Sequence, residues 1–372
     1  MDISYILSFK NIKLGVIYAL LLTCIVSKSF ATALQDPSET LASEVKTEQH
    51  ELAKKQESFD PTATVLEHIA DSHSWHIWGH LSLPLPVILY TNKGIEFFSS
   101  SNLMDEHHEP VKYNGTHYTY FNDHEHIKAL GSDGLVDELA TSKIWDFSIT
   151  KNIFSMFISM AIILWLFIAI SGSYRKRHGK APKGAQSFLE PIIIFVRDDI
   201  AKTNIGYKYE RFMPLLLTFF FFIWFNNILG LIPIFPGGAN VSGNINVTFV
   251  LAAIVLVVTN LNGNKYYWGH IFKPQVPFWL LPIMWIVEII GVVSKPFALL
   301  IRLFANITAG HIIVLSLISL IFIFKTIAMA PVSIAFVLFM DVLELLVGFL
   351  QAFIFTMLAA LFIGMAVEEH AH

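Results

Sequence analysis

Apolar and polar positions divide this chain into two unlike parts. From about Leu34 to Thr150 they are mixed. "KTEQHELAKKQESFDPTATVLEHIADSH" carries helical stretches, whereas "LPLPVILYTNKGIEFFSSSN" and "HYTYFND" alternate apolar and polar residues around turn formers. This predicts a small polar domain of mixed α/β type with a few short strands. Beyond Thr150 the pattern becomes long apolar runs at Ile153–Ile170, Phe212–Pro233, Val247–Leu261, Phe278–Phe324 and Ile327–Val367. Runs of this length close their backbone hydrogen bonds internally in lipid, so the fold class is an all-α polytopic membrane protein with about five membrane helices. "SFLEPIIIFVRDDIAKTNIG" interrupts a short apolar run with Arg197, Asp198, Asp199 and Lys202, and reads as an interfacial amphipathic helix. The phenylalanine-rich "LTFFFFIWFNN" is expected to pack against lipid, with Asn226 and Asn227 at its end as candidates for a polar path.

The last two runs are too long for ordinary spans. At 1.5 Å per residue they would make helices of about 70 and 60 Å, against a hydrocarbon core of roughly 30 Å. Either each folds as two steep spans, with "SKP" at Ser294–Pro296 as one break, or each is a single strongly tilted helix with Pro282 and Pro296 as bends. The polar interruptions discriminate. Glu288 and Arg302 lie fourteen residues apart, within about 40° on one helix, and Asn306 extends that side by a turn. Glu344 and Gln351 are seven apart and share a face. In an antiparallel hairpin, facing positions have nearly constant summed numbers. One register then sets Arg302 against Gln351 and His311 against Glu344, which argues for one long tilted antiparallel hairpin.

Composition agrees with the pattern: 54% of the 372 residues are hydrophobic, 15% are charged, and mean hydropathy is +0.58. A formal net charge of -4 gives no sign of a nucleic-acid partner, and the single cysteine, Cys24, excludes an intramolecular disulfide. Lys10 and Lys13, the apolar stretch Leu14–Val26 and "ATA" at Ala31–Ala33 form a signal-peptide pattern. The expected organisation is a cleaved signal peptide over 1–33, an extracytoplasmic domain over 34–150 and a membrane domain over 151–372. Arg175, Lys176, Arg177, Lys180 and Lys183 follow the first span and place that loop in the cytoplasm. The polar domain is then periplasmic and the C-terminus cytoplasmic. "NGNKYYWGHIFKPQVPFW" is an interfacial loop with Lys265, Lys273, Tyr266, Tyr267 and Trp268. The polar domain holds His68, His73, His76, His80, His107, His108, His117, His124 and His126; with no cysteine beside them and loose spacing, they read as solvated surface histidines and not as metal ligands.

The chemistry of the hairpin centres on Arg302. Its guanidinium keeps its charge, and no acidic residue lies near it in sequence. Gln351 offers it hydrogen bonds but no counter-charge, so a partner subunit is expected to bring a carboxylate. His311 and Glu344 can exchange a proton, since an imidazole beside a carboxylate titrates near neutral pH. Glu288 lies on the other side of Arg302 and has two readings, a second proton site or an ion pair with Lys295. A stand-alone proton channel or secondary transporter is the alternative function, though no internal repeat is visible. No glycine-rich phosphate loop is present, so no nucleotide site is expected.

At these residues the chain resembles subunit a of F-type ATP synthases. "SKPFALLIRLFANITAGH" and "LQAFIFTMLAALFIGMAVEEH" are similar to that family's last two helices, and "NNILGLIP" and "NINVT" to earlier ones; the likeness runs from Trp145 to His372. The resemblance implies a non-catalytic proton-channel subunit of the bacterial inner membrane, without cofactor or metal. Its partners would be the c-ring, the subunit b peripheral stalk and the rest of the synthase. It implies that Arg302 is the stator arginine facing the c-ring carboxylate, with Asn306 and Gln351 as its polar neighbours. His311 and Glu344 would form the uptake half-channel pair, with acid and imidazole exchanged relative to many bacterial members, and Glu288 would belong to the cytoplasmic half-channel. Gly230 stands where some members have an acid. The polar domain resembles extensions of Bacteroidetes-like members.

Overall fold

A computed structural model describes residues 71–368 except 79–80, 106–109, 124, 132, 177–180, 233–236, 275 and 325–328. The signal-peptide pattern, and with it His68, His80, His107, His108 and His124, lies outside the described residues. Two compact units are present: one gathers Asn152–Thr308 with 343–368, the other 71–151 with Ala309–Val342.

In the second unit the alternating segments are strands, as expected. β1 (Ser74–Trp78) pairs with β2 (Leu81–Pro84). β3 (Pro86–Thr91) is flanked by β4 (Gly94–Ser99) and later by β8 (Trp145–Asp146). β5 (Tyr113–Asn114), β6 (Thr119–Asp123) and β7 (His126–Leu130) form a third antiparallel sheet, followed by the short helix α1 (Glu138–Thr141). The period of two turns Val87, Leu89 and Phe98 inward to meet Leu103, Tyr120 and Ile127 in one core. Glu96 is buried in it, its carboxylate accepting the His117 N–H at 2.7 Å, the Thr116 N–H at 3.1 Å and the Tyr120 hydroxyl at 2.9 Å. Burial, with that hydrogen bond to Glu96, pushes the Tyr120 hydroxyl well above the usual tyrosine range.

His73 corrects an expectation. It is not solvated but 3% exposed, its Nδ1 3.3 Å from Glu125 Oε2 and its Nε2 3.3 Å from Asp146 Oδ2. Glu125 reaches it from the β6–β7 turn in a left-handed conformation (φ 66°), which a residue with a Cβ adopts at some cost. Three segments distant in sequence thus meet on one imidazole. Spacing along the chain could not reveal this, because His73 borders a strand and its partners come from segments distant in sequence.

The first unit is helical. α2 (Lys151–Lys176) is followed by α3 (Ala185–Phe195), a wide π-helical turn (Val196–Lys202) and a short helical stretch to Ile205. Gly206 (φ 71°) then breaks the chain ahead of α4 (Tyr209–Leu231). Leu189, Ile193, Val196 and Ile200 form one buried stripe, the amphipathic pattern read from the sequence, and Phe188 stacks on Trp224 of α4 at 6.3 Å between centroids. The phenylalanine run is not lipid-facing. Phe219, Phe220, Phe221 and Phe222 are at most 3% exposed and pack on Phe355, Phe349 and Phe167, because α4 is enclosed by other helices.

α5 (Ile245–Leu261), capped by the Asn244 side chain on the Asn246 N–H, turns by 100° into α6 (Lys265–Phe272). α7 (Leu281–Phe324) and α8 (Met329–Val367) are each unbroken, 44 and 39 residues long. Pro296 therefore sits inside a helix and marks no chain break, and Pro282 occupies a first-turn position where its missing N–H costs nothing. By length and composition, four helical segments of the described residues could cross a membrane, or five if α5 and α6 count as one bent span.

Candidate ion pathway

Within the helical unit, Arg302 stands on the exposed side of α7. Ile286, Ile290, Val293, Phe297 and Ile301 are exposed along the same stretch at helical spacing, and Leu346 and Leu350 are exposed on α8. Among the described residues no hydrogen bond or ion pair reaches the guanidinium. Arg302 shares its own side of the helix with the exposed Lys295, seven residues earlier, and Asn306, one turn later.

Its polar neighbours are arranged differently from the expected register. Gln351 is 2% exposed and its Oε1 accepts a hydrogen bond from Asn306 Nδ2 at 3.1 Å. Gln351 therefore does not hold Arg302. It engages Asn306, the residue one turn further along α7. Gly348 gives α4 close access to α8, so that Asn227 Nδ2 donates to the Gly348 carbonyl at 3.1 Å. A Cβ at Gly348 would lie 3.0 Å from the Asn227 Cβ.

A polar seam continues from there. Asn226 Nδ2 donates to the Phe222 carbonyl at 2.7 Å, while the Oδ1 atoms of Asn226 and Asn227 are buried without a partner among the described residues. Beyond α4, Asn240 Oδ1 accepts the Gly243 N–H at 2.8 Å, and Thr308 Oγ1 of α7 donates to the Gly243 carbonyl at 3.4 Å. Asn240 and Ser242 are buried. The sequence marked Asn226 and Asn227 but gave the "NVSGN" segment only as part of a turn, because short polar residues beside glycine are ordinary turn chemistry. Glu344 is 7% exposed on α8 and His311 is half-buried on α7.

At the opposite end of the unit, Asn264 at the α5–α6 corner donates from its backbone to the Ala366 carbonyl and from its side chain to the Val367 carbonyl, both at 2.8 Å. Trp285 Nε1 of α7 donates to the Phe272 carbonyl at 2.9 Å. These bonds set α6 across the start of α7, where His270 Nδ1 lies 3.6 Å from Glu288 Oε1. Lys295 does not pair with Glu288; its Nζ sits 5.9 Å over the Phe362 ring, which overturns the ion-pair reading of Glu288. His270 was missed in the sequence, because it lies on a different helix from Glu288 and helical periodicity relates only residues of one helix.

Residues 153–364 match the family described as ATP synthase A chain. The chain belongs to that family. All six residues singled out on the last two helices fall within the match. The helical region is 48% identical over 233 residues to ATP synthase subunit a of Chloroherpeton thalassium, covering 61% of this chain and 69% of that one. It is 48% identical over 232 residues to ATP synthase subunit a 2 of Chlorobium luteolum (60% and 67%), and 43% identical over 241 residues to ATP synthase subunit a of Myxococcus xanthus (61% and 77%). Residues 64–147, which include the strands around His73, match a family described as a domain of unknown function. As an ATP synthase A chain the protein is a multi-pass membrane protein that works within the synthase complex.

Proposed function

We propose that this chain is the proton-translocating stator subunit of the membrane sector of an F-type ATP synthase, with Arg302 separating two offset half-channels. The observation that carries the reading is Arg302, exposed on a long apolar helix with no hydrogen bond or ion pair to its guanidinium among the described residues. A charge left in lipid costs roughly 3 kcal/mol or more, so its position calls for a passing counter-charge. A c-ring carboxylate supplies one. With the loop after α2 in the cytoplasm, His311 and Glu344 serve uptake from the periplasmic side, aided by the buried amides of the Asn226–Asn240 seam. Glu288 serves the cytoplasmic side. A proton taken up from the periplasm neutralises the ring carboxylate, which then rotates through lipid. On its return, the field of Arg302 lowers the carboxyl pKa and favours release toward Glu288. The same cation opposes a direct leak between the two paths. The polar domain is periplasmic in this arrangement, and subunit b holds the stator in place.

The test is the Arg302→Ala variant of the assembled synthase in inverted membrane vesicles. ATP hydrolysis by the soluble sector should persist while ATP-driven proton pumping is abolished. Pumping retained by the variant would overturn the assignment.

A further inference from the structure

We propose that His270 is the proton-transfer residue that connects Glu288 to the cytoplasmic water. The inference rests on the reading of Glu288 as the cytoplasmic proton site and adds the group that serves it.

The geometry separates the two roles. The side chain of Glu288 is 23% exposed and that of His270 is 73% exposed, with Nδ1 and Oε1 3.6 Å apart. The carboxylate is recessed while the imidazole stands in solvent. A gap of this size is crossed by a small approach of the exposed ring or through one water. Other groups are placed so that they do not compete. Tyr267, on the same helix and under the charge of Glu288, donates its hydroxyl to Asn260 Oδ1 at 3.1 Å. Trp285 is engaged with the Phe272 carbonyl, and Lys295 is turned to Phe362. Lys273 follows directly after the end of α6.

In the direction of ATP synthesis, the O–H bond of the Glu288 carboxyl breaks as an Nδ1–H bond forms. The imidazolium then loses its Nε2 proton to water, leaving neutral imidazole and the Glu288 carboxylate. A ring flip or the reverse exchange resets the tautomer. In ATP-driven pumping the sequence runs backwards, with imidazole capturing protons from water. Histidine suits the step because its two ring nitrogens let it accept a proton on one side and release one from the other. The bonds from Asn264 and Trp285 fix α6, and hence the ring, over this one carboxylate.

The experiment uses the assembled synthase in inverted vesicles with the single variants His270→Ala and Glu288→Gln and the double variant. Pumping is normalised to the amount of synthase present. The His270→Ala variant should pump roughly tenfold more slowly at about pH 8, where proton capture limits uptake, and the deficit should shrink toward pH 6. Added imidazole should restore most of the rate to His270→Ala and none to the double variant. A His270→Ala rate equal to wild type at every pH overturns the proposal, as does a deficit that imidazole leaves unchanged. If Glu288→Gln pumps normally, the reading of Glu288 falls and takes this one with it. If Glu288→Gln is slow and His270→Ala is not, only the His270 assignment falls.

Discussion

The buried His73 gives the polar domain a pH dependence that can be worked out from its surroundings. Burial alone would lower the imidazole pKa, but hydrogen bonds and charge from Asp146 and Glu125 together outweigh it and push it up to about 9 from 6.5. Because the folded value is the higher one, the stabilisation is fully present below 6.5 and is lost as pH rises through about 9. The separation corresponds to about 3 kcal/mol, or roughly 10²-fold in an opening equilibrium. Burial would raise the pKa of both Glu125 and Asp146, yet their hydrogen bonds to His73 hold them below the usual carboxylate range. Their contribution is therefore present above the ordinary carboxylate pKa and fades in acid. Stability of this region should be greatest between the carboxylate range and about pH 6.5. The assay is amide hydrogen exchange on the full chain in detergent, read at β1 and β8 and corrected for the intrinsic pH dependence of exchange. Wild type should lose roughly 10²-fold of protection between about pH 6.5 and 9.5. The His73→Gln variant should start less protected and show little change across that window. A flat wild-type profile, or an identical slope in the variant, would refute the reasoning.

Two further outcomes follow from close contacts. Gly348→Val should push Asn227 away from α8, breaking its bond to the Gly348 carbonyl and slowing proton pumping, whereas Gly348→Ala should be tolerated with a smaller loss; equal pumping by the valine variant and wild type would contradict the packing. Glu96→Leu should leave the His117 and Thr116 N–H groups and the Tyr120 hydroxyl without their acceptor at a cost of about 3 kcal/mol or more, visible as lost exchange protection in β6 and β7; unchanged protection there would contradict it.

The sequence made legible whatever depends on period. Alternation gave β3, β4 and β6, and the matched polar positions within the two longest apolar runs gave the unbroken α7 and α8 despite Pro296. Charge in an apolar run gave Arg302. Enclosure was not legible, because Phe219 to Phe222 have the same composition whether they face lipid or other helices. Nor was His73, whose partners lie 52 and 73 residues away and converge only through sheet pairing. His270 escaped for the same reason, since it meets Glu288 across two separate helices, α6 and α7, whose approach no spacing rule anticipates.

The hydrogen bond of Gln351 to Asn306 in place of Arg302 has a mechanistic consequence. Had Gln351 bonded Arg302, one or more guanidinium donors would be spent within the subunit, and a passing carboxylate would have to break that bond to gain its own. Asn306 takes up the buried Gln351 carbonyl instead. That bond satisfies a buried amide, which would cost about 1–3 kcal/mol if left alone, and holds α7 and α8 together next to the arginine. The five N–H donors of Arg302 stay available in a fixed fork that matches both oxygens of a carboxylate. Rigid backing behind an uncommitted cation is what a stator needs. In the proposed function the charge would meet each ring carboxylate in one geometry and also let go, which a group without a hydrogen bond to either helix among the described residues does without rearranging the core.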